Sequence, residues 1–300
     1  MSTDHPFVCP VCRTALGPDL GAGDARCTSC GISIASHDGV AVLVRDREAV
    51  DGAIAEAIAT GRSDWYRAEQ DSVLTGPYRH HVTKRRDYVG GVLHEHGRST
   101  PHPLTILDLG CGDGAHLPWL RDQVTGTIYA SDYNLLRLRR ATGRGVAERV
   151  VLADLTDYPA ADDAFDVVFC NHVLEHVPDA GAALTETRRI LAPDGIVILG
   201  VPNEGAAAWR LAYRLQPASR QSTDHIHFFT AKDLAARCRA AGFGVREVKP
   251  LGWGVPHWGL DARVRGAKWV DDALEAVGSR FARSQASSLY LILTKAPATP

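Results

Sequence analysis

Two C-x-x-C pairs, Cys9-Pro10-Val11-Cys12 and Cys27-Thr28-Ser29-Cys30, stand near the start of the chain. Four thiolates spaced in this way can surround one tetrahedral zinc, with every coordination position filled and none left open for catalysis. A thioredoxin-like redox site carries a single pair beside a βαβ unit, and no such unit lies here. Farther on, Ile106-Leu107-Asp108-Leu109-Gly110-Cys111-Gly112-Asp113-Gly114 ends an apolar run on an acid, then sets three glycines at alternate positions. Glycines so placed let the backbone turn sharply and approach a ligand with no Cβ in the way. A helix opening after them would aim its N-terminal amides at the same ligand. The stretch therefore reads as a loop for a nucleotide-type cofactor.

Gly110, Gly112 and Ala115 nominally satisfy the dinucleotide fingerprint, with Asp132 at about the right distance for a ribose. Other residues point elsewhere. Asp108 suits a ligand bearing a cationic amine and would repel a pyrophosphate. Asp132, followed by Tyr133, can accept hydrogen bonds from both hydroxyls of a ribose. Asp154 can meet an adenine amino group, and Leu155 its ring face. Asn171-His172-Val173-Leu174-Glu175-His176 ends a strand in polar groups. Candidate proton acceptors are His172, Glu175, His176 and His225, the last with Asp224 beside it to orient it.

These residues must be held by a regular scaffold. Strand-like runs at 104–109, 126–131, 149–152, 165–171, 195–201, 245–251 and 288–294 alternate with helical ones at 115–122, 135–144, 180–191 and 231–241. Such alternation indicates an α/β fold: a doubly wound, mostly parallel, seven-stranded sheet with helices on both faces. The last strand is expected to enter antiparallel at an edge. Residues 1–45 form the small cysteine-bearing module and 46–103 a helical linker. Within the linker, 78–96 reads as a helix whose Lys84-Arg85-Arg86 run forms a solvated face, and Trp65 and Tyr66 either fold over the cofactor or pack. Residues 104–297 form the main domain. Its segments 205–222 (Trp209, Arg210, Tyr213, Arg214, Arg220) and 252–286 (Trp253, His257, Trp258, Trp269) either cap the acceptor site or pack on the core.

Taken in order, Asp108-x-Gly110-x-Gly112-x-Gly114, Asp132, Asp154 and the Asn171–His176 segment resemble the class I S-adenosylmethionine-dependent methyltransferases, in the branch acting on small molecules, sugars and lipids. The resemblance implies a Rossmann-like methyltransferase sheet. It implies that Asp108, Gly110, Gly112 and Gly114 cradle the methionine portion, that Asp132 and Tyr133 hold the ribose, that Asp154 and Leu155 meet adenine, and that Asn171 and His172 line the methyl channel. His225 matches the family's histidine after the fifth strand. Residues 7–44 resemble the zinc ribbon that accompanies some methyltransferases, which would make Cys9, Cys12, Cys27 and Cys30 ligands of a structural zinc.

Bulk properties narrow the partners. With 33 Lys plus Arg against 35 Asp plus Glu in 300 residues, the net charge of -2 gives no general attraction to nucleic acid. An odd total of seven cysteines argues against a disulfide framework. The first residues show no basic stretch followed by an apolar one, and no apolar run reaches the ~18 residues of a membrane helix. A cytoplasmic enzyme with a small-molecule acceptor is thus expected. The competing readings are an rRNA or tRNA methyltransferase, using the ribbon to hold RNA, and a cofactor-binding scaffold without activity.

Overall fold

The computed structural model describes residues 5–46, 74–218, 224–255 and 257–296, with isolated positions 48, 52, 55 and 59. Trp65, Tyr66 and Arg220 lie outside the described residues, as does most of the linker before residue 74. Two short strands, β1 (Ala25–Arg26) and β2 (Ser33–Ile34), pair with each other beside the cysteines. A nine-stranded sheet forms the centre. Its strands are β3 (Ser36–His37), β4 (Val40–Val42), β5 (Leu104–Leu109), β6 (Gly126–Asp132), β7 (Arg149–Leu152), β8 (Phe165–Asn171), β9 (Leu191–Pro202), β10 (Phe243–Leu251) and β11 (Ser288–Lys295), ordered β10-β11-β9-β8-β5-β6-β7-β4-β3.

The central strands are continuous apolar runs because both faces of the sheet are covered. Alternate side chains divide between two cores: Leu107 and Leu109 enter one, Leu104 and Ile106 the other. Helices α1 (Arg79–Ser99), α2 (Leu117–Gln123) and α3 (Leu135–Gly143) cover the second face through Val89, Leu93, Leu117, Leu120 and Leu138. The first face takes α4 (Ala180–Ile190), α6 (Ala231–Ala240) and, nearer β7, the cysteine-bearing segment. Further helices are α5 (Ala207–Leu215), α7 (Trp258–Arg265) and α8 (Lys268–Phe281). No helix among the described residues is long and apolar enough to cross a membrane.

Four expectations need correction. The last strand, β11, is antiparallel but sits inside the sheet between β9 and β10 rather than at its edge. The sheet exceeds seven strands because β4 pairs in parallel with β7, from Val40 opposite Val150 to Val42 opposite Leu152, and β3 follows it. Helix α2 begins at Leu117 instead of Ala115, with Pro118 in its first turn, where a missing N–H costs nothing. The Lys84-Arg85-Arg86 run is not a solvated face. Lys84 pairs with Asp271 at 2.6 Å, Arg85 reaches His172 and Ser288, and Arg86 lies over the Trp119 ring at 5.4 Å.

The N-terminal segment is bound to the sheet by side chains as well as strands. Phe7 is fully buried, packs edge-on against Tyr129 at 5.5 Å and bridges to Ala160. Removing this ring opens a cavity in a core shared by segment and sheet. Phe7→Ala is expected to cost about 3–5 kcal/mol, seen in chemical denaturation as one transition moved to lower denaturant, not as separate loss of the N-terminal segment.

Candidate functional site

Strands β5, β6, β7 and β8 end on the same side of the sheet, at a switch in strand order where open α/β sheets form a crevice. At the end of β5 the loop turns through Gly110, Gly112 and Gly114, with φ of 80°, 58° and 73°. A Cβ on Gly110 would stand 2.2 Å from Val173 Cγ2, so only glycine fits there. The loop is fastened to β6. The amides of Gly110 and Cys111 both donate to the Ser131 carbonyl at 2.8 Å. The Asp132 carboxylate accepts from the Gly112 and Asn134 amides, each at 2.9 Å. After β7, Asp154 Oδ1 accepts from Thr156 N at 2.8 Å and caps the 3-10 turn Leu155–Asp157.

Asp108, the last but one residue of β5, is almost fully buried, and its Oδ2 has no hydrogen-bond partner. Burial, followed by the neighbouring charge of Asp132, pushes its carboxyl up to about 8. A buried acid with an unmet oxygen, in a residue that lines a cavity, is suited to a cationic donor from outside the protein.

Past β8 the groups change. Tyr290 of β11 donates its hydroxyl to Asn171 Oδ1 at 2.7 Å, and Gly200 of β9 leaves room for the pair. His172 adopts φ 56°, a strained conformation for its residue type. One ring nitrogen of His172 lies 3.2 Å from the Arg85 guanidinium, the other 3.4 Å from the buried Glu175 carboxylate. Burial alone would raise Glu175, yet His172 and His176 hold it below its ordinary value. The rings of His176 and His225 meet edge to face with centroids 4.8 Å apart. His225 Nδ1 lies 2.6 Å from Glu204 Oε2, and Tyr213 donates its hydroxyl to the other Glu204 oxygen.

A cavity of about 1120 Å³ joins the two halves. Of the residues singled out in the sequence, Asp108, Gly110, Asp132, Tyr133, Asp154, Leu155, Asn171 and His172 line it, as do His176, Asp224 and His225. Gly112 and Gly114 shape the loop behind its wall. Asp224, at φ 54°, offers its backbone carbonyl to His176 Nδ1 at 3.3 Å, so the orienting carboxylate for His225 is Glu204. Burial would lower His225, but the hydrogen bond and charge of Glu204 outweigh it and raise the imidazole above its ordinary value. His176, by contrast, is lowered, chiefly by burial. The sequence also gave no role to Arg85, Arg86, His116, Trp119, Glu204 or Tyr290. All but Glu204 line the cavity, and their only sequence signal is chemical type.

In the N-terminal segment Cys9, Cys12, Cys27 and Cys30 bring their sulfurs within 4.8 Å of one another. Cys9 and Cys30 lie 3.6 Å apart and Cys12 and Cys27 3.5 Å, well beyond a disulfide bond. Both knuckles repeat one backbone pattern. The Arg13 amide donates to the Cys9 carbonyl at 3.0 Å, and the Gly31 amide to the Cys27 carbonyl at 2.9 Å.

Residues 78–248 match the family model described as a methyltransferase domain. A ubiquinone biosynthesis O-methyltransferase of Thiobacillus denitrificans is 32% identical over 155 residues, covering 48% of this chain and 66% of that protein. A malonyl-[acyl-carrier protein] O-methyltransferase of Halorhodospira halophila is 33% identical over 152 residues, covering 47% of this chain and 49% of that protein. The chain thus spans between about half and two thirds of the length of these relatives. Among solved structures, a candidate sarcosine dimethylglycine methyltransferase from Galdieria sulphuraria superposes with a TM-score of 0.54 at 16% identity, over 73% of this chain and 88% of that one. That likeness concerns the fold.

The pairing of His225 with Glu204 is open to direct measurement. In Glu204→Gln the carboxylate that favours the imidazolium is gone while burial remains. The His225 ring is then expected to titrate at lower pH than in the wild type, followed by its carbon-bound proton shifts in NMR.

Proposed function

Since this chain belongs to the methyltransferase-domain family, we propose that it is an S-adenosylmethionine-dependent methyltransferase acting on an oxygen or nitrogen of a small molecule, sugar or glycolipid. The observation that carries the reading is the unmet Oδ2 of buried Asp108 above the glycine loop. An α-ammonium is the donor it lacks, and a pyrophosphate is the group it would reject. In this reading Gly110, Gly112 and Gly114 cradle the methionine portion, Asp132 and Tyr133 take the ribose, and Asp154 and Leu155 take the adenine. Asp132 keeps a lone pair for a ribose hydroxyl beyond the amide bonds it accepts.

S-adenosylmethionine, when bound, supplies an electrophilic methyl group on a sulfonium. The protein's work is to align the acceptor with that methyl and to exclude water, and proximity of this kind is worth about 7–11 kcal/mol. Asn171, fixed by Tyr290, and His172, fixed between Arg85 and Glu175, form the wall on the acceptor side. A hydroxyl acceptor must lose its proton as it attacks. His225 suits that role: Glu204 stabilises the imidazolium that forms, as a carboxylate partner does in other His-carboxylate pairs. His176 stacks on its edge and Asp224 shapes the loop between them. The Lys84-Arg85-Arg86 run is engaged with Asp271, His172, Ser288 and Trp119, so it is not a free basic face. For the N-terminal segment we propose one structural zinc on Cys9, Cys12, Cys27 and Cys30. Thiolates about 2.3 Å from a tetrahedral centre lie about 3.8 Å apart, close to the separations described.

Calorimetry with S-adenosylhomocysteine tests the cofactor assignment. Below about pH 8 the Asp108 carboxyl is protonated in the ligand-free protein, whereas a bound ammonium favours the carboxylate. Binding is therefore expected to release a proton and to tighten as pH rises toward 8. Asp108→Asn should weaken it by about 10–100-fold, the worth of a hydrogen bond to a charged group, without lowering the melting temperature. Tight binding of NAD with none of S-adenosylhomocysteine would overturn the assignment. Elemental analysis is expected to give one zinc per chain, lost in Cys27→Ser.

A further inference from the structure

The two cysteine knuckles differ at one backbone position. Gly31 follows Cys30 at φ 75°, as the left-handed turn favours, whereas Arg13 follows Cys12 at φ 60°. An arginine there carries a steric penalty that glycine avoids. What it adds is a side chain that leaves the knuckle. Arg13 donates to the Tyr158 carbonyl at 2.6 Å and pairs with the Asp157 carboxylate.

Asp157 closes the turn that begins at Leu155, and its predecessors Asp154, Leu155 and Thr156 line the cavity. The same short segment is gripped from two sides. On the N-terminal side, Arg45 pairs with the second Asp157 oxygen at 2.7 Å, and the Val8 amide donates to the Pro159 carbonyl at 2.9 Å. On the α4 side, Arg189 donates to the Tyr158 carbonyl at 2.7 Å, and Glu186 accepts from the Tyr158 amide at 2.9 Å.

We propose that Arg13 is a positioning residue for the cofactor site: it transmits the geometry of the first cysteine knuckle to the Asp154–Asp157 turn that receives the adenine. The proposal rests on the reading of Asp154 and Leu155 as the adenine end of an S-adenosylmethionine pocket. Loss of the arm leaves Asp157 with Arg45 and the Tyr158 carbonyl with Arg189, so the chain still folds while the turn loosens. Loss of the cysteine cluster would loosen it further, because Cys12 fixes the backbone from which the arm starts.

Arg13→Gly tests this, since glycine suits the φ and Gly31 already serves the twin position. The variant is expected to retain one zinc per chain and the wild-type melting temperature. Its affinity for S-adenosylhomocysteine and for adenosine, measured by calorimetry on the full chain, should fall five- to tenfold. Arg13→Lys should recover part of the loss. Asp157→Asn should show a similar loss, and the double variant should be little worse than either single one. Wild-type affinity in Arg13→Gly, or a loss that only tracks lost zinc and lowered melting temperature, would overturn the proposal. Failure of the wild-type chain itself to bind S-adenosylhomocysteine would instead remove the cofactor reading and this inference with it.

Discussion

A carboxyl group stands almost fully buried at the end of β5 with one oxygen that no protein group meets. Burying such a group is costly unless a partner arrives, and the surrounding backbone admits one. Three left-handed glycines draw the loop back from the strand end, while Asp132 and the Ser131 carbonyl hold that loop against β6. Burial first, and then the charge of Asp132, disfavour ionisation of Asp108, and a cation beside it would offset both.

Past β8 the cavity wall is arranged differently, as a ladder of paired groups. Arg85, His172 and Glu175 follow one another, and His176 joins them to His225, Glu204 and Tyr213. Each histidine is held by a different kind of neighbour, so their basicities separate: His225 is raised by a carboxylate and His176 lowered by burial. Such divergence between adjacent titratable groups is how one fold assigns the proton to one partner. The left-handed backbone at His172 and Asp224 lies in the same place, where strain is tolerated because the surroundings over-determine it.

Much of this was legible from local pattern. Strands 104–109, 149–152 and 165–171 have the expected ends because polar residues, glycine or proline lie at or within two residues of each end of the apolar run. The glycine loop and the three acids at strand ends lie together on the cavity wall because successive parallel strands must end on one side. What escaped was long-range or masked by chemistry. Strand order is not written in any single strand, so the place of β11 inside the sheet had no local signal. Asp224 adjoins His225 in sequence and looked the natural partner, yet the carboxylate that reaches the ring is Glu204, brought over by the turn into α5. Arg85 and Arg86 read as a solvent face since charge runs usually are. Here an interior cavity takes the place of solvent.

The parallel pairing of β4 with β7 sets an order on chain assembly. Residues 40–42 leave the ribosome long before residues 150–152 exist to pair with them, and Phe7 must wait for Ala160 and Tyr129. Non-local pairings of this kind form late, after the intervening loop has been closed. Through that interval the N-terminal segment has Phe7, Leu16, Leu20 and Ile34 without their eventual cover. The four clustered thiols and the β1–β2 pair are local devices that can give it shape before the sheet arrives. A segment made before its sheet partners is therefore among the last to be finished.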